Sequence, residues 1–330
     1  MSENNFVTNN DALKVDDFIS RGNTGPVPKL YGESLVAAAR LDERIFCLCA
    51  DLVGATETDL FRDQLPERFV HTGIAEANMI GIAGGLARSG IIPFVHSFCV
   101  FVSRRCYDQI AMQVAYPKLP IKIVGFLPGL TTLLGVSHQA IDDIALMRAL
   151  PNMTIIEPDG PEQLGLAVDA ALAIEGPVYL RLKRAAAISS SKLKKRSLRP
   201  GLAEILRHGP DATIIACGMM VQEALYAADL LSTEDIQVSV LNMATIKPLD
   251  VKAVIDLARK TKVIVTAENH SIIGGLGSSV AETLMEESIV VKFARVGIRD
   301  TFAEGGSTPY LFDQYRLSAK HIAHVVKGLL

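Results

Sequence analysis

Short apolar runs rich in β-branched residues alternate along the chain with stretches whose apolar residues recur at helical spacing. The runs end at Asp51, near Thr72, near Phe98, near Phe126, at Glu157 and near Leu182. Between them the spacing predicts helices over 32–41, 76–89, 99–115, 138–150 and 161–174. Such alternation argues for a mainly parallel sheet wrapped by helices. A second alternation begins at Asp211, with strands over 212–217, 238–242, 262–267 and 290–296. Its helices fall over 221–231, 250–260 and 277–285. The expected fold class is α/β in two domains. No internal repeat or low-complexity tract is present.

The pattern breaks in two places. Residues 1–26 are polar and aperiodic and read as a flexible arm. A composition change over 185–200 brings three serines, 189–191, and the basic residues Lys192, Lys194, Lys195 and Arg196. It reads as a linker, set at 189–208, between a first domain over 27–188 and a second over 209–330. The basic run has no interleaved aromatics, so a solvated linker fits it better than a nucleic-acid patch.

Composition narrows the classes. The 330 residues are 49% apolar and 21% charged, enough for two full cores. A net charge of −3 gives no general attraction to nucleic acid or to anionic membranes. The N-terminus lacks a signal-peptide core, and no apolar run reaches the roughly 18 residues of a membrane helix. Five cysteines, an odd number without a CxxC pair, fit reduced thiols in a cytoplasmic protein rather than disulfides or a metal site.

Ligands of open parallel α/β sheets bind beyond the carboxyl ends of the strands. Several residues capable of chemistry fall there: Asp51, Glu76, Phe98, Phe101 and the loop leading to His138. Each has a plainer role. Glu76 at a helix start stabilises the dipole by about 0.3–1 kcal/mol. Phe98 and Phe101, three apart, suit a helix's core face. Asp51 suits a turn cap, and His138 a cap or surface position.

The wider sequence adds to this. RFVHTGIAEANMIGIAGGLA (68–87) places Glu76 between a short strand and a helix of small residues. With SFCVFVSRRCYDQ (97–109), CADLVG (49–54), GVSHQAIDD (135–143) and DIALMRALPNMTIIEP (143–158), it resembles the transketolase family. The likeness covers roughly residues 27–330 and includes TIKPLD (245–250) and TAENHSIIGGLG (266–277) in the second domain. It implies a thiamine diphosphate pyrimidine-binding domain followed by a transketolase C-terminal-like domain. Glu76 would then hydrogen-bond N1′ of the aminopyrimidine, favouring the imino tautomer that deprotonates C2. Phe98 and Phe101 would enclose that ring, with Asp51 near the cofactor. His138 would face the substrate, and Arg184 would bind the sugar phosphate. The glycines of 274–277, a weak signal for a nucleotide loop by themselves, read as close packing at a helix start.

The resemblance also implies what is missing. The family holds its diphosphate through Mg²⁺ with a Gly-Asp-Gly motif and a following Asn, and no Gly-Asp-Gly occurs here. The chain therefore looks like the C-terminal subunit of a split transketolase, active with a separate N-terminal subunit that carries the metal ligands. An α2β2 complex is expected. Polar substrate positions have changed as well: the family's aspartate falls at Leu134, after Thr132-Leu133. A histidine falls at Phe126 or Leu127, a serine at Ala55, and an arginine near Pro28. Losing such contacts changes substrate choice, so a ketol transferase of altered specificity, acting on small sugar phosphates, is the expected activity. Two other readings stay open. One is another thiamine enzyme, of the deoxyxylulose-phosphate-synthase or 2-oxoacid dehydrogenase β type. The other is a non-catalytic paralogue.

Overall fold

The computed structural model describes residues 27–185 and 196–330. The arm read over 1–26, and Ser189–191, Lys192, Lys194 and Lys195 of the basic run, lie outside the described residues. Six strands of the first half are β1 (Ile45–Cys49), β2 (Phe69–His71), β3 (Ile92–Phe98), β4 (Lys122–Phe126), β5 (Thr154–Ile156) and β6 (Val178–Leu182). They pair in parallel. Leu48, Val95, Val124 and Leu180 are buried, as are their neighbours Cys47, Phe94, Ile123 and Tyr179. Burial on both faces is why β1 and β3 to β6 read as continuous apolar runs, whereas the edge strand β2 is only half-buried.

The second half supplies β7 (Glu204–Pro210), β8 (Ala212–Ala216), β9 (Val238–Asn242), β10 (Thr245–Lys247), β11 (Val263–Ser271) and β12 (Lys292–Ile298). Five of these form a sheet in the order β12-β11-β8-β9-β7, parallel except for the edge strand β7. Strand β10 leaves its own domain and pairs antiparallel with β5, giving the first sheet the order β10-β5-β6-β4-β3-β1-β2.

Several features differ from the sequence expectation. Strand β7 begins at Glu204, inside the stretch read as linker. It is a half-exposed edge strand, EILRHGP, ending in Pro, so its polar alternation resembles a connection. Arg196 is not a free solvated charge: it pairs with Asp159 at 2.5 Å and Glu204 at 3.0 Å. The helix expected over 99–115 is broken. It runs Cys99–Arg104, restarts at Tyr107–Ile110 and continues as a π-helical turn, Ala111–Ala115. Two C-terminal helices, Thr308–Gln314 and Ala319–Leu329, have no counterpart in the sequence expectation.

A buried cation adds a second link between the two halves. Arg181, near the end of β6, donates to Asp143 at 2.8 and 3.2 Å and to Glu157 at 2.6 Å. It also donates to the carbonyls of Ala140 and Asn269, both at 3.0 Å, the latter on β11. Tyr179 donates to Asp143 at 2.6 Å. Burial pushes both carboxyls up. Arg181 outweighs it at Asp143, which lies below the usual range, whereas Glu157 stays above it. Removing the guanidinium would strand two buried acids. Arg181→Met is therefore expected to destabilise the fold by about 3–5 kcal/mol. A lower urea midpoint at unchanged slope measures this, and an unmoved midpoint would show that water or relaxation replaces the arginine.

Glu268 makes the glycine cluster legible. Its buried carboxylate accepts from the N–H groups of Leu276 (2.7 Å) and Gly277 (2.9 Å) at the start of the helix Leu276–Glu286. A Cβ at Gly275 would sit 1.9 Å from that carboxylate. The glycines admit an internal acid to a helix end.

Candidate active site

The carboxyl ends of β1 to β4 and β6 lie along one edge of the first sheet, and the candidate residues follow them. Strand β2 ends at His71, and a short turn later Glu76 opens the helix Glu76–Arg88. Its carboxylate is only 3% exposed. Ser97, near the end of β3, donates to Oε1 at 3.2 Å. Arg105 donates from Nη1 to Oε1 at 3.1 Å and to Oε2 at 3.3 Å. The carboxyl group is thus held by one hydroxyl and one guanidinium, from the end of β3 and the segment that follows it.

Above this acid stands an aromatic rim. Phe98 ends β3 and Phe101 lies in the first turn of the next helix, with ring centres 5.9 Å apart. His138, from the loop after β4, meets Phe101 edge-on at 5.1 Å and Phe98 at 6.1 Å. Partial burial, helped by the positive charge of Arg105, holds the His138 imidazole below its ordinary range. It is therefore neutral at pH 7. Its Nδ1 lies 3.0 Å from Ser137 Oγ. Arg105 also spans the rim, its guanidinium carbon 3.9 Å from the centre of the Phe101 ring.

Asp51 stands apart, exposed beyond β1, with His71 Nε2 at 3.1 Å from its carboxylate. Its φ of 57° is a left-handed conformation that aspartate tolerates better than most residues.

Beyond the ends of β4 and β6 lies a cleft of about 360 Å³ between the two domains. Leu127, Thr131, Leu133, Lys183 and Arg184 line it from the first domain, with Met219, Glu223 and Phe312 among those from the second. Phe126 and Leu127, the two positions expected to replace the family histidine, have different surroundings. Phe126 is buried in β4 and packs edge-on against Tyr31 at 5.6 Å, whereas Leu127 reaches the cleft. Leu134, 40% exposed, is on the same loop, its N–H bonded to Thr132 Oγ1 at 3.1 Å. Asn269 ties that loop to the second domain, donating to Pro128 O and accepting from Leu130 N.

Arg184 is buried, with Glu57 at 3.9 Å. Burial pushes the Glu57 carboxyl up to about 7, against the pull of the Gly32 N–H and Arg184. Lys183 is open to solvent within the cleft, yet many protein atoms surround it. Desolvation pulls its ammonium below the lysine range and Glu223 pulls it back. A second cavity, about 40 Å³ beside Gln163 and Asn242, holds one or two waters at most and is remote from these groups.

The structure thus brings Glu76, Phe98, Phe101 and His138 to one place and Arg184 to an adjoining one. Sequence reasoning misses Ser97, Arg105 and Lys183. Ser97 and Arg105 lie within a motif quoted above and Lys183 precedes Arg184, and only their contacts single them out. Among the described residues no group of three or more His, Cys, Asp or Glu is placed to hold a metal ion. No described helix is long and apolar enough to cross a membrane.

A buried acid beneath an aromatic rim thus stands at the carboxyl edge of the parallel sheet of an α/β protein. Comparison with known proteins identifies the family. The transketolase pyrimidine binding domain family matches residues 26–188, and the transketolase C-terminal domain family matches residues 201–322. The chain belongs to the transketolase family, whose members depend on thiamine diphosphate.

It is 47% identical to the 6-deoxy-6-sulfo-D-fructose transketolase subunit SqwH of Clostridium sp. (strain MSTE9), across 88% of this chain and 90% of that protein. A solved structure described as a split gene transketolase, inactive beta4 tetramer, is 41% identical with a TM-score of 0.83. The match covers 92% of this chain and 97% of that one. The 1-deoxy-D-xylulose-5-phosphate synthase of Syntrophotalea carbinolica (strain DSM 2380 / NBRC 103641 / GraBd1) is 34% identical across 94% of this chain, which spans 49% of that protein.

Proposed function

We propose that this chain is the C-terminal subunit of a split, thiamine-diphosphate-dependent transketolase that moves a two-carbon ketol unit from a ketose to an aldose. The observation that carries the reading is the buried Glu76 carboxylate under Phe98, Phe101 and His138. The pyrimidine half of the cofactor fits this place. The slot between Glu76 and Phe101 already accommodates a planar cationic group, the Arg105 guanidinium. Glu76 would hold N1′, with the aromatic rim against the ring. When bound, the cofactor supplies the nucleophilic carbon that attacks the ketose carbonyl. His138, neutral at pH 7, would accept a hydrogen bond from, or donate one to, a substrate hydroxyl beside the reacting carbon.

The diphosphate half lacks its motif in this sequence. Mg²⁺ and its ligands are therefore assigned to an N-terminal subunit, in an α2β2 cytoplasmic complex. Exposed apolar residues support docking on this face: Ile74, two residues before Glu76, and Met112 and Tyr116 at and beside the π-helical turn. Gly85, where an added Cβ meets nothing within 4 Å, leaves the helix backbone open to a close neighbour.

Calorimetry on the purified chain is expected to show weak thiamine diphosphate binding and no ketol transfer. Adding a subunit that bears the metal motif should restore both. Tight Mg²⁺-dependent binding by this chain alone would overturn the split assignment. Donors in the assay should include a 2-oxoacid, because of the 1-deoxy-D-xylulose-5-phosphate synthase relative. Decarboxylation in place of ketose cleavage would move the chain to that class.

The donor we infer carries a single anion at the end far from its carbonyl. Arg184 and Lys183 supply cations to a cleft whose remaining wall includes Leu127, Leu133, Met219 and Phe312. A sulfonate, with one charge, asks less of such a wall than a dianionic phosphate. The relative named for 6-deoxy-6-sulfo-D-fructose makes that ketose the first donor to try.

A further inference from the structure

Arg105 does more than neutralise Glu76. Its guanidinium is flat and cationic, and presents N–H groups along one edge. That edge meets both oxygens of Glu76, at 3.1 and 3.3 Å, while the flat face lies on Phe101 with its carbon 3.9 Å from the ring centre. An aminopyrimidine that hydrogen-bonds Glu76 and stacks on Phe101 would make the same two contacts in the same slot. Both groups cannot be there together.

We propose that Arg105 is a stand-in for the aminopyrimidine, holding Glu76 and Phe101 until the cofactor displaces it. The proposal rests on the reading above that Glu76 faces N1′.

The local structure suits exchange. Arg105 lies at the break between the helices Cys99–Arg104 and Tyr107–Ile110, where Cys106 adopts a φ of −129°. Its side chain is 48% exposed, so it can swing out without uncovering the core. Glu76, by contrast, is buried and cannot follow it. A buried carboxylate without a partner is costly, and the exchange never leaves it without one. The guanidinium interacts with Glu76, Phe101, the Cys106 thiol and His138, and Glu76 is the carboxylic acid among them.

Occupancy by Arg105 reduces apparent cofactor affinity in proportion to the fraction of time that the slot is blocked. If the slot is blocked about nine-tenths of the time, its removal tightens binding about tenfold. The test uses the assembled complex with Mg²⁺. The Kd of thiamine diphosphate is titrated for the parent, Arg105→Met and Arg105→Lys. Thermal unfolding is recorded with and without cofactor.

Arg105→Met should bind the cofactor more tightly yet unfold earlier without it, and cofactor should restore the lost stability. Arg105→Lys, which keeps the charge but loses the flat fork, should tighten binding less. A purely structural arginine would not produce tighter binding when removed. Unchanged or weaker binding in Arg105→Met overturns the proposal; if that variant does not assemble, the same result in Arg105→Lys does so. Failure of the underlying reading looks different: Glu76→Gln would then leave C2 proton exchange untouched, whatever the Arg105 variants do.

Discussion

Glu76→Gln is expected to slow proton–deuterium exchange at the cofactor C2 by about 10²–10⁴-fold in the assembled complex, the usual contribution of a general acid–base group. The substitution is nearly isosteric. Its amide oxygen can still accept from Ser97 and Arg105, which now bond to the carboxylate. Folding and assembly should survive. What the amide cannot do is share a proton with a ring nitrogen. Exchange is read directly by NMR, independent of any sugar, so the result does not depend on knowing the substrate. An unchanged rate would leave Glu76 as a helix-terminal carboxylate paired with Arg105 and remove it from the chemistry.

Substrate choice is the second large effect. Ordinary pentose phosphates are expected to be poor substrates, and a ketose with one terminal anion a good one. The resemblance to transketolases implies polar groups at three positions that are Leu134, Ala55 and either Phe126 or Leu127 here. Leu127 lines the cleft and Leu134 is on the same loop. At about 1 kcal/mol for each lost hydrogen bond, and 1.4 kcal/mol per tenfold, three losses lower efficiency about 10²-fold. The cations should carry what anchoring remains. A hydrogen bond to a charged group contributes about 1.5–3 kcal/mol. Lys183→Met should therefore cut kcat/KM for the anionic donor by about 10–100-fold, while leaving the cofactor Kd where it was. The test is a panel of donors and acceptors, with 6-deoxy-6-sulfo-D-fructose beside xylulose 5-phosphate, assayed with both subunits present. Efficient turnover of the pentose phosphate, above about 10⁴ M⁻¹s⁻¹, would mean that the partner subunit supplies the missing contacts and that the cleft has been misread.

Much of this architecture is legible in the amino-acid sequence. Parallel strands buried on both faces announce themselves as apolar runs, and β1 and β3 to β6 fall where those runs lie. Glu76 declares itself through its neighbours, a short strand before it and small residues after it. The edge strand β7 does not, because a half-exposed strand carries the polar alternation of a loop. Nor does β10, whose three residues form a strand only by pairing with the other domain.

The same limit separates the site's two halves. A residue's type and its place after a strand are local facts, so the acid, the aromatics, His138 and Arg184 can be named from the chain by itself. Which groups touch them is not local. Arg105 reaches Glu76, 29 positions away, because a helix breaks beneath it. Arg181 joins two domains through an oxygen 88 positions distant. Lys183 faces the cleft because the second domain closes over the first. The sequence alone determined the α/β class, the positions of the buried strands and the chemistry available at their ends. Only the tertiary structure decided the pairings, because charge neutralisation and stacking depend on distances in space that periodicity along the chain does not encode.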